Sequence, residues 1–257
     1  MSAVIIIPAR YASTRFPAKP LSTFRGADGV QRKLIEHTWR AGMAVSGVEA
    51  VYVATDDDRI AQACKSFGAQ VVMTSPECRN GTERCAHALT AMAEQHKIIV
   101  NLQGDAPLTP PWFLEELVAA LRNNPDFDAV TPVLKCDDPT LLRLLNDRKH
   151  GRVGGTTAVF DGSQRALYFS KEVLPFGLGQ TFHHVGVYAY RPAALAAYLS
   201  WPEGNLEKSE GLEQLRFLEN GHKMLCVRVD ACGKEFWEVN NPEDIPIIEK
   251  MLGITDE

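Results

Sequence analysis

Residues Ala3–Pro20 read AVIIIPARYASTRFPAKP, and this stretch decides the fold that the sequence predicts. The apolar run Ala3–Ile7 is mostly β-branched, which is typical of a buried parallel strand. Residues that follow the carboxyl end of such a strand line the ligand crevice of an open α/β sheet. Here they include three cations, Arg10, Arg15 and Lys19, together with hydroxyl groups and backbone N–H donors. The stretch contains neither a Walker A motif nor G-x-G-x-x-G. Its donors suit a polyphosphate ligand, and the alternative is a basic loop that is merely solvated.

The composition indicates a globular protein with one full hydrophobic core. The chain has 257 residues, of which 45% are hydrophobic, and this is enough for one domain or one domain with a lobe. No apolar run could span a membrane, and the first apolar run lacks the pattern of a signal peptide. The net charge of −5 argues against a nucleic-acid binder. Six scattered cysteines without metal spacing indicate reduced thiols, so we expect a cytoplasmic protein.

Strand-like and helix-like segments alternate through the first half of the chain. Strands are expected at Ala3–Ile7, Ala50–Ala54, Gln70–Met73, Ile98–Leu102 and Ala129–Leu134. Helices are expected at Leu34–Val45, Asp58–Phe67, Thr82–Glu94 and Pro111–Arg122. This alternation predicts βαβ units and a parallel sheet. We expect Asp57 or Asp58 to cap the second helix, Gly68 to end it, and Thr82 to cap the third.

The pattern changes after Lys135. A helix is expected at Asp137–Asn146, followed by strands at Arg152–Phe160 and His184–Arg191. Later segments predict one continuous helix at Leu206–Asn220 ended by Gly221, a strand at Met224–Val229 and a closing helix at Pro242–Leu252. Neither a repeat nor a linker divides the chain, so we expect a single domain over residues 1–257.

Seven further sequence blocks follow the first stretch in order. They are Val53–Asp56 (VATD), Asn80–Arg84 (NGTER), Asn101–Asp105 (NLQGD), Ala166–Ser170 (ALYFS), His184–Tyr188 (HVGVY), Leu212–Arg216 (LEQLR) and Pro242–Asp244 (PED). Together with Pro8–Pro20 they resemble the sugar-nucleotidyltransferase superfamily, and within it the 3-deoxy-manno-octulosonate (Kdo) cytidylyltransferase family, over nearly the whole chain. The resemblance implies an α/β fold with a Rossmann-like open, mostly parallel sheet flanked by helices, of the nucleotide-diphospho-sugar transferase type. It also implies a small mixed lobe at about residues 136–200 that binds the sugar and forms a homodimer.

The same resemblance implies an activity. Members of this family transfer CMP from CTP to the anomeric hydroxyl of a 3-deoxy-2-ulosonic acid such as Kdo, and the product serves lipopolysaccharide or capsule synthesis. The partners are therefore CTP and the sugar acid, with Mg²⁺ as the cofactor. In such in-line displacements the protein contributes alignment and charge neutralisation. No general base is evident in the sequence, and a metal-bound hydroxyl has a lowered pKa that makes one unnecessary.

The matching blocks assign the candidate site residues by resemblance. The nucleotide-binding set is Ala9, Arg10, Ser13, Arg15, Lys19, Gly81, Thr82 and Arg84; the sugar-binding set is Gln103, His184, Tyr188, Glu213 and Gln214; the catalytic set is Arg10, Lys19 and Asp105; and the metal ligands are Asp105 and Asn240. A carboxylate at the end of a strand suits Mg²⁺, although Asp105 could instead form an Asx turn. Other roles also fit three of these assignments. Gly81–Arg84 also fits an ordinary helix start, His184 a core position and Glu213 a solvated helix face.

Two positions depart from the family pattern. Ala106 stands where the family usually has Glu, and Asn240 stands where it usually has the second metal-binding Asp. These changes leave three alternatives open: weaker metal binding, a different substrate or loss of activity. Three other functions therefore stay open: a CMP-nonulosonate synthetase of sialic- or pseudaminic-acid type, a guanylyltransferase, which carries Asn at the equivalent point, and a non-catalytic nucleotide-binding paralogue.

Overall fold

The computed structural model describes residues 2–12, 16–92, 96–151, 155–177, 179–234 and 237–254. The strands in these ranges are β1 Ala3–Ala9, β2 Thr23–Arg25, β3 Gln31–Lys33, β4 Ala50–Thr55, β5 Gln70–Met73, β6 Ile98–Asn101, β7 Ala129–Lys135, β8 Thr156–Phe160, β9 Ala166–Ser170, β10 Phe182–His184, β11 Tyr188–Tyr190 and β12 Met224–Arg228. The helices are α1 Leu34–Met43, α2 Asp58–Ser66, α3 Gly81–Ala91, α4 Pro111–Asn123, α5 Asp138–Lys149, α6 Pro192–Tyr198, α7 Asn205–Glu210, α8 Leu215–Glu219 and α9 Asp244–Met251.

One large sheet organises the chain. Its strands follow the order β5-β4-β1-β6-β11-β7-β10-β8-β9, and β12 pairs with β7 beside this path. The pairs β5–β4, β4–β1, β1–β6 and β7–β12 are parallel. Strand β11 lies antiparallel between β6 and β7, and β10, β8 and β9 continue the sheet with antiparallel pairs. This α/β sheet flanked by helices confirms the predicted fold class, and the antiparallel strands of residues 156–190 form the mixed part of the sheet.

Strand β1 lies in the middle of the core. All seven of its residues are buried. Successive side chains of a strand point to opposite faces, and accordingly Ile5 and Ile7 pack in one hydrophobic cluster while Val4 and Ile6 pack in the other. A strand covered on both faces needs a continuous apolar run, which explains why the predicted N-terminal strand is correct. The strand therefore holds its carboxyl end, and the residues after it, in a fixed position.

The predicted signals for α2 are confirmed. The Asp57 carboxylate accepts hydrogen bonds from the backbone N–H groups of Arg59 (2.9 Å) and Ile60 (3.4 Å), as an N-cap residue does. Gly68 follows the end of the helix with φ of +88°.

The predicted cap of α3 is wrong. Asn80, not Thr82, caps this helix, because the Asn80 side chain accepts a hydrogen bond of 2.8 Å from the backbone N–H of Glu83. Thr82 lies inside the first turn and is fully buried. Its hydroxyl lies 2.9 Å from the hydroxyl of Tyr190, so it joins the helix to β11 rather than capping it.

The predicted single helix at Leu206–Asn220 is also wrong, because the structure has α7 and α8 in its place. The break occurs at Gly211, which has φ of +61° and ends α7 in a left-handed conformation that favours glycine. Gly221, with φ of +77°, follows α8 as expected. The strand expected at His184–Arg191 is likewise two strands, since β10 pairs with β7 and β8 while β11 pairs with β6 and β7.

No helix of the described residues has the length and apolar character that a membrane span requires.

Candidate active site

The predicted site residues meet where β1 and β6 end. These strands are parallel neighbours, so their carboxyl ends lie at the same edge of the sheet. Ala9 ends β1, Arg10 follows it, and Gln103 to Asp105 follow β6. A Cβ on Gly104 would lie 2.6 Å from the carbonyl oxygen of Pro8, so only glycine permits this close approach of the two strand ends. Ser13 and Arg15 lie outside the described residues.

Lys19 and Asp105 are in direct contact. The Lys19 Nζ lies 2.5 Å from Asp105 Oδ2, and the two side chains are 15% and 27% exposed. The same ammonium donates a hydrogen bond of 2.9 Å to the carbonyl oxygen of Val239, whose backbone N–H donates one of 2.8 Å to the carbonyl oxygen of Asp105. Three segments distant in sequence are thereby joined around one cation, and two predicted catalytic groups lie side by side.

A second carboxylate, which the sequence analysis missed, lies beside this pair. Burial and the nearby Asp105 charge raise the pKa of Glu238 to about 7. A Cβ on Gly186 would lie 3.4 Å from Glu238 Oε1, so this carboxylate faces the segment between β10 and β11. The sequence signal that could have found it is the alternation of polar and apolar residues in Glu238-Val239-Asn240.

The donor chemistry of this region fits a hard divalent cation. The described residues contain no group of three or more His, Cys, Asp or Glu side chains arranged to hold a metal. Mg²⁺ does not need such a group, because it is typically bound through one or two carboxylates together with phosphate oxygens and water. Asp105 and Asn240, which both lie beside Val239, offer a carboxylate and an amide oxygen of the right kind.

The predicted nucleotide-binding turn begins α3. A Cβ on Gly81 would lie 2.8 Å from Gln103 Oε1, so this turn packs directly against the segment after β6. The backbone N–H of Thr82 donates a hydrogen bond of 3.1 Å to the Glu213 carboxylate. Arg10 lies exposed at the rim, and its guanidinium is 3.5 Å from the carbonyl oxygen of Arg79. Within the part of the chain that the structure describes, this long hydrogen bond is the one that the Arg10 side chain makes.

Arg84 has a different environment from the other predicted nucleotide contacts. Its side chain is only 3% exposed, and its guanidinium lies 2.9 Å from the Asp56 carboxylate. It also donates a hydrogen bond of 2.6 Å to the Thr74 hydroxyl. The structure therefore shows Arg84 joining α3 to the ends of β4 and β5, and its nucleotide contact stays a prediction.

His184 is held inside the sheet by two hydroxyl groups. Its Nε2 lies 2.9 Å from Thr131 Oγ1 and its Nδ1 lies 3.0 Å from Thr156 Oγ1. Burial lowers the pKa of His184 to about 3, so the ring is neutral near pH 7. The ring of Tyr188 is next to it, with the two centroids 5.6 Å apart. A neutral, fixed imidazole can shape a pocket but cannot supply positive charge to it.

The other predicted sugar-binding residues form a set of buried amides and a carboxyl group. Tyr188 donates a hydrogen bond of 3.2 Å to Gln214 Oε1, and Gln103 donates one of 3.3 Å to Asn101 Oδ1. The amide nitrogens of Gln214 and Asn101 are buried without a hydrogen-bond partner among the described residues. Burial raises the pKa of Glu213 to about 7. Unpartnered buried donors are rare in proteins, and a ligand rich in oxygen would satisfy them.

A buried ionic network supports the start of α3. Arg216 donates to Glu83 at 2.9 Å and to both oxygens of Glu207 at 2.6 Å. Its guanidinium also lies over the ring of Tyr198, 4.2 Å from the centroid. Because Glu83 is in the first turn of α3, this network fixes the turn that carries Gly81 and Thr82.

Comparisons with known proteins agree with the geometry. A family profile described as cytidylyltransferase matches residues 4–225. The 3-deoxy-manno-octulosonate cytidylyltransferase of Maricaulis maris is 41% identical over 262 residues, which cover 100% of this chain and 99% of the relative. The 8-amino-3,8-dideoxy-manno-octulosonate cytidylyltransferase of Shewanella woodyi is 38% identical over 260 residues, or 99% and 100% of the two chains.

Two solved structures are also similar. A CMP:2-keto-3-deoxy-manno-octonic acid synthetase complexed with CTP has a TM-score of 0.86 and 31% identity, and the match covers 98% of this chain and 99% of that one. The 4-diphosphocytidyl-2C-methyl-D-erythritol synthase of Anaerococcus prevotii has a TM-score of 0.60 at 15% identity, with 98% and 99% coverage, and this likeness concerns the fold alone. The resemblance found in the sequence blocks is therefore confirmed.

Proposed function

Because the chain belongs to the cytidylyltransferase family, we propose that it transfers CMP from CTP to the anomeric hydroxyl of a 3-deoxy-octulosonic acid. The acceptor is Kdo or its 8-amino analogue, the sugars in the names of the relatives from Maricaulis maris and Shewanella woodyi. The single observation that carries this proposal is the contact of Lys19 with Asp105 beyond the ends of β1 and β6, where sheets of this kind bind their ligands.

The cations of the first loop act on the triphosphate. In this reaction the sugar hydroxyl oxygen bonds to the α-phosphorus while the bond to the pyrophosphate oxygen breaks, so negative charge moves onto pyrophosphate. Arg10 is exposed at the rim and Lys19 lies deeper in the cleft. Both would donate charge-assisted hydrogen bonds that strengthen as the leaving group gains charge.

Mg²⁺ belongs to the same proposal. Asp105 and Asn240 would hold it, since carboxylate and amide oxygens are ligands of the type that it prefers. When bound, the ion neutralises phosphate charge and acidifies a coordinated hydroxyl. The hydrogen bonds that Val239 accepts from Lys19 and donates to Asp105 support this assignment, because Asn240 is the next residue in the chain.

The sugar acid would bind against the buried amides and the aromatic residues next to them. Gln103, after β6, and the hydrogen-bonded pair of Tyr188 and Gln214 offer hydrogen-bonding groups for it. His184 stays neutral, so it positions Tyr188 rather than pairing with the sugar carboxylate. Glu213 accepts from the backbone of Thr82 and thereby links the sugar side to the nucleotide side.

We also propose a homodimer formed through the lobe at residues 136–200 and a cytoplasmic location, where CTP is available. Four large apolar side chains among the described residues of this lobe, Leu142, Leu167, Phe176 and Leu199, are exposed in the single chain, which supports an interface there. Sedimentation at micromolar concentration should give the mass of two chains, and a monomer at that concentration would contradict the proposal.

A release assay for pyrophosphate tests the activity. The protein with Mg²⁺ is incubated with each of CTP, UTP, GTP and ATP, and with Kdo, 8-amino-Kdo or a nonulosonic acid. We expect release only with CTP and an octulosonic acid, and none with the variant Asp105→Ala. Activity with GTP would indicate a guanylyltransferase, and activity only with a nonulosonic acid would indicate a CMP-nonulosonate synthetase. CTP binding without turnover would favour the non-catalytic paralogue.

A further inference from the structure

His184 ends β10 at a position between two neighbouring strands. It lies opposite Val133 of β7 and Thr156 of β8 in the antiparallel register, and it is only 5% exposed. Thr131 lies two residues before Val133 and therefore points to the same face of the sheet. Threonine side chains from the strands on both sides thus reach the ring of His184.

The hydrogen of the Thr131 hydroxyl is directed away from His184. Thr131 Oγ1 lies 2.9 Å from the carbonyl oxygen of Val187 and 3.2 Å from that of Val185, and both oxygens can only accept. A threonine hydroxyl has one hydrogen and two lone pairs, so the hydrogen goes to these carbonyls. Towards His184 Nε2, at 2.9 Å, Thr131 offers a lone pair. The ring hydrogen of His184 therefore lies on Nε2.

Thr156 pairs with the other ring nitrogen. Burial lowers the pKa of His184 to about 3, so near pH 7 the neutral ring carries one hydrogen, which the contact with Thr131 places on Nε2. Nδ1 is then an acceptor, and the Thr156 hydroxyl at 3.0 Å donates to it. Both nitrogens are used inside the sheet, so neither is left to bond a ligand.

The ring of His184 packs against two aromatic side chains. Its centroid is 4.8 Å from that of Phe169 and 5.6 Å from that of Tyr188. The hydroxyl of Tyr188 in turn donates to Gln214 Oε1 at 3.2 Å, and the amide nitrogen of Gln214 has no hydrogen-bond partner among the described residues. A ring that is bonded at both nitrogens cannot rotate, so Tyr188 packs against a wall of constant shape.

We propose that Thr131 and Thr156 are positioning residues for the sugar acid: they hold His184 as the Nε2–H tautomer, and its fixed ring holds Tyr188 where the sugar acid binds. The inference rests on the proposed function, because it takes Tyr188 as part of the sugar site. It gives His184 a role in the reaction without a bond to the substrate. Both threonines lie outside the matched sequence blocks, so only the folded chain points to them.

The tautomer and the kinetics together test this inference. Nuclear magnetic resonance of the full-length protein with 15N-labelled histidine reads the tautomer, because protonated and unprotonated ring nitrogens differ in chemical shift. Pyrophosphate release with CTP, Mg²⁺ and either Kdo or 8-amino-Kdo gives KM for each substrate. The variants are Thr131→Val and Thr156→Val, with Thr131→Ser and Thr156→Ser as replacements that keep the hydroxyl. Thr157→Val is the matched control, because the fully buried Thr157 follows Thr156 on β8 but lies opposite His183 rather than His184.

We expect the Nε2–H tautomer in wild type. Thr131→Val should change it to the Nδ1–H tautomer, because the hydroxyl of Thr156 can accept as well as donate, and Thr156→Val should keep the Nε2–H tautomer. Either valine variant should raise KM for the sugar acid by roughly 10-fold or more, since a small misplacement in a binding site is costly, and should leave KM for CTP unchanged. The serine variants should match wild type. Thr157→Val should keep the tautomer of His184 and both KM values, even where its melting temperature falls.

Several outcomes would contradict the inference. A wild-type His184 with its hydrogen on Nδ1, or a KM for the sugar acid that is unchanged in both valine variants, overturns it, while turnover by wild type upholds the proposed function. An equal rise in KM for CTP, an equal effect of Thr157→Val, or a loss that serine does not restore also overturns it. If Thr131→Val does not fold, the wild-type tautomer and Thr156→Val decide in the same way. A wild type without turnover on either octulosonic acid refutes the proposed function and this inference with it.

Discussion

At the scale of single residues, Lys19 has two roles that depend on what the cleft holds. In the structure its ammonium neutralises Asp105 and holds the backbone of Val239. A cation on Asp105 would compete with the ammonium for that carboxylate and would leave Lys19 nearer to the phosphates. CTP and the metal should therefore assist each other in binding. The metal takes the place of Lys19 on Asp105, and the phosphates of CTP provide a new partner for the Lys19 ammonium.

The variant Lys19→Ala tests the phosphate role. It removes a contact that strengthens as charge moves to pyrophosphate, and loss of such a contact costs about 2–4 kcal/mol of transition-state stabilisation. We expect kcat to fall by roughly 30–1000-fold with the fold intact. Steady-state kinetics with CTP make the measurement, and Lys65→Ala, at an exposed position on α2, is the control. Turnover within a factor of about three of wild type would contradict the prediction.

His184 should make the stability of the protein sensitive to acid. Its pKa is about 3 in the folded state because of burial, against an ordinary value of about 6.5 in the unfolded chain. The unfolded state thus binds the proton first, and the folded state loses stability as pH falls from about 6.5 towards 3, by up to about 1.4 kcal/mol per pH unit.

Urea unfolding of wild type and of His184→Gln between pH 7.5 and 5 measures this effect. The difference in the free energy of unfolding between the two proteins should shrink by about 2 kcal/mol over that interval, because only wild type carries the histidine. Two pH curves that stay parallel would show that His184 does not titrate in this way.

At the scale of elements, the buried ionic network at Arg216 connects α8, α7 and the start of α3. Replacing Arg216 by Met leaves Glu207 buried without its cation, while Glu83 keeps its contact with Arg79. Removing one partner of a buried pair costs about 3–5 kcal/mol, so the free energy of unfolding should fall by that amount. Arg40→Met removes an exposed pair with Glu36 on α1 and should cost under about 1 kcal/mol. Equal losses in the two variants would contradict the prediction.

The elements that the sequence predicted correctly are those with local signals. Continuous apolar runs, which are buried on both faces in the structure, predicted β1 and β6. The capping side chain of Asp57 predicted the start of α2. The continuous helix at Leu206–Asn220 failed because the pattern of apolar residues continues through Gly211, whereas in the structure this glycine is left-handed and ends α7. The cap of α3 was predicted at Thr82, two residues after the true cap Asn80, because Thr is also a favoured capping residue.

The site was predictable through its sequence blocks but not through its contacts. Lys19 and Asp105 are 86 positions apart, and Lys19 and Val239 are 220 apart, so spacing alone could not bring them together. The burial of Arg84 against Asp56 follows from the packing of α3 on the sheet. The contacts of the Val239 backbone with Lys19 and Asp105 are visible only in the folded chain.

At the scale of the whole molecule, the C-terminal segment closes the cleft by packing on the N-terminal part of the chain. The backbone N–H of Arg25 donates to Glu249 Oε1 at 2.7 Å, and Val239 and Ile248 pack with Phe24 and Leu34. The segment thus brings Glu238 and Asn240 to residues near the N-terminus. Ligand binding should depend on how firmly this segment is held.

The variant Asp244→Ala tests that dependence. It removes the acceptor of three hydrogen bonds from Trp237, Asn240 and Asn241, so the segment with the cleft residues loses its fixed conformation while the sheet stays intact. At CTP and Mg²⁺ concentrations that stabilise wild type by about 2.7 kcal/mol, a roughly 10-fold weaker affinity lowers the stabilisation to about 1.4 kcal/mol. Melting temperatures with and without ligand measure it, and Glu243→Ala, at an exposed neighbour, should behave as wild type. An undiminished shift in Asp244→Ala would mean that the segment contributes no ligand contacts, since its position would then have no effect on binding.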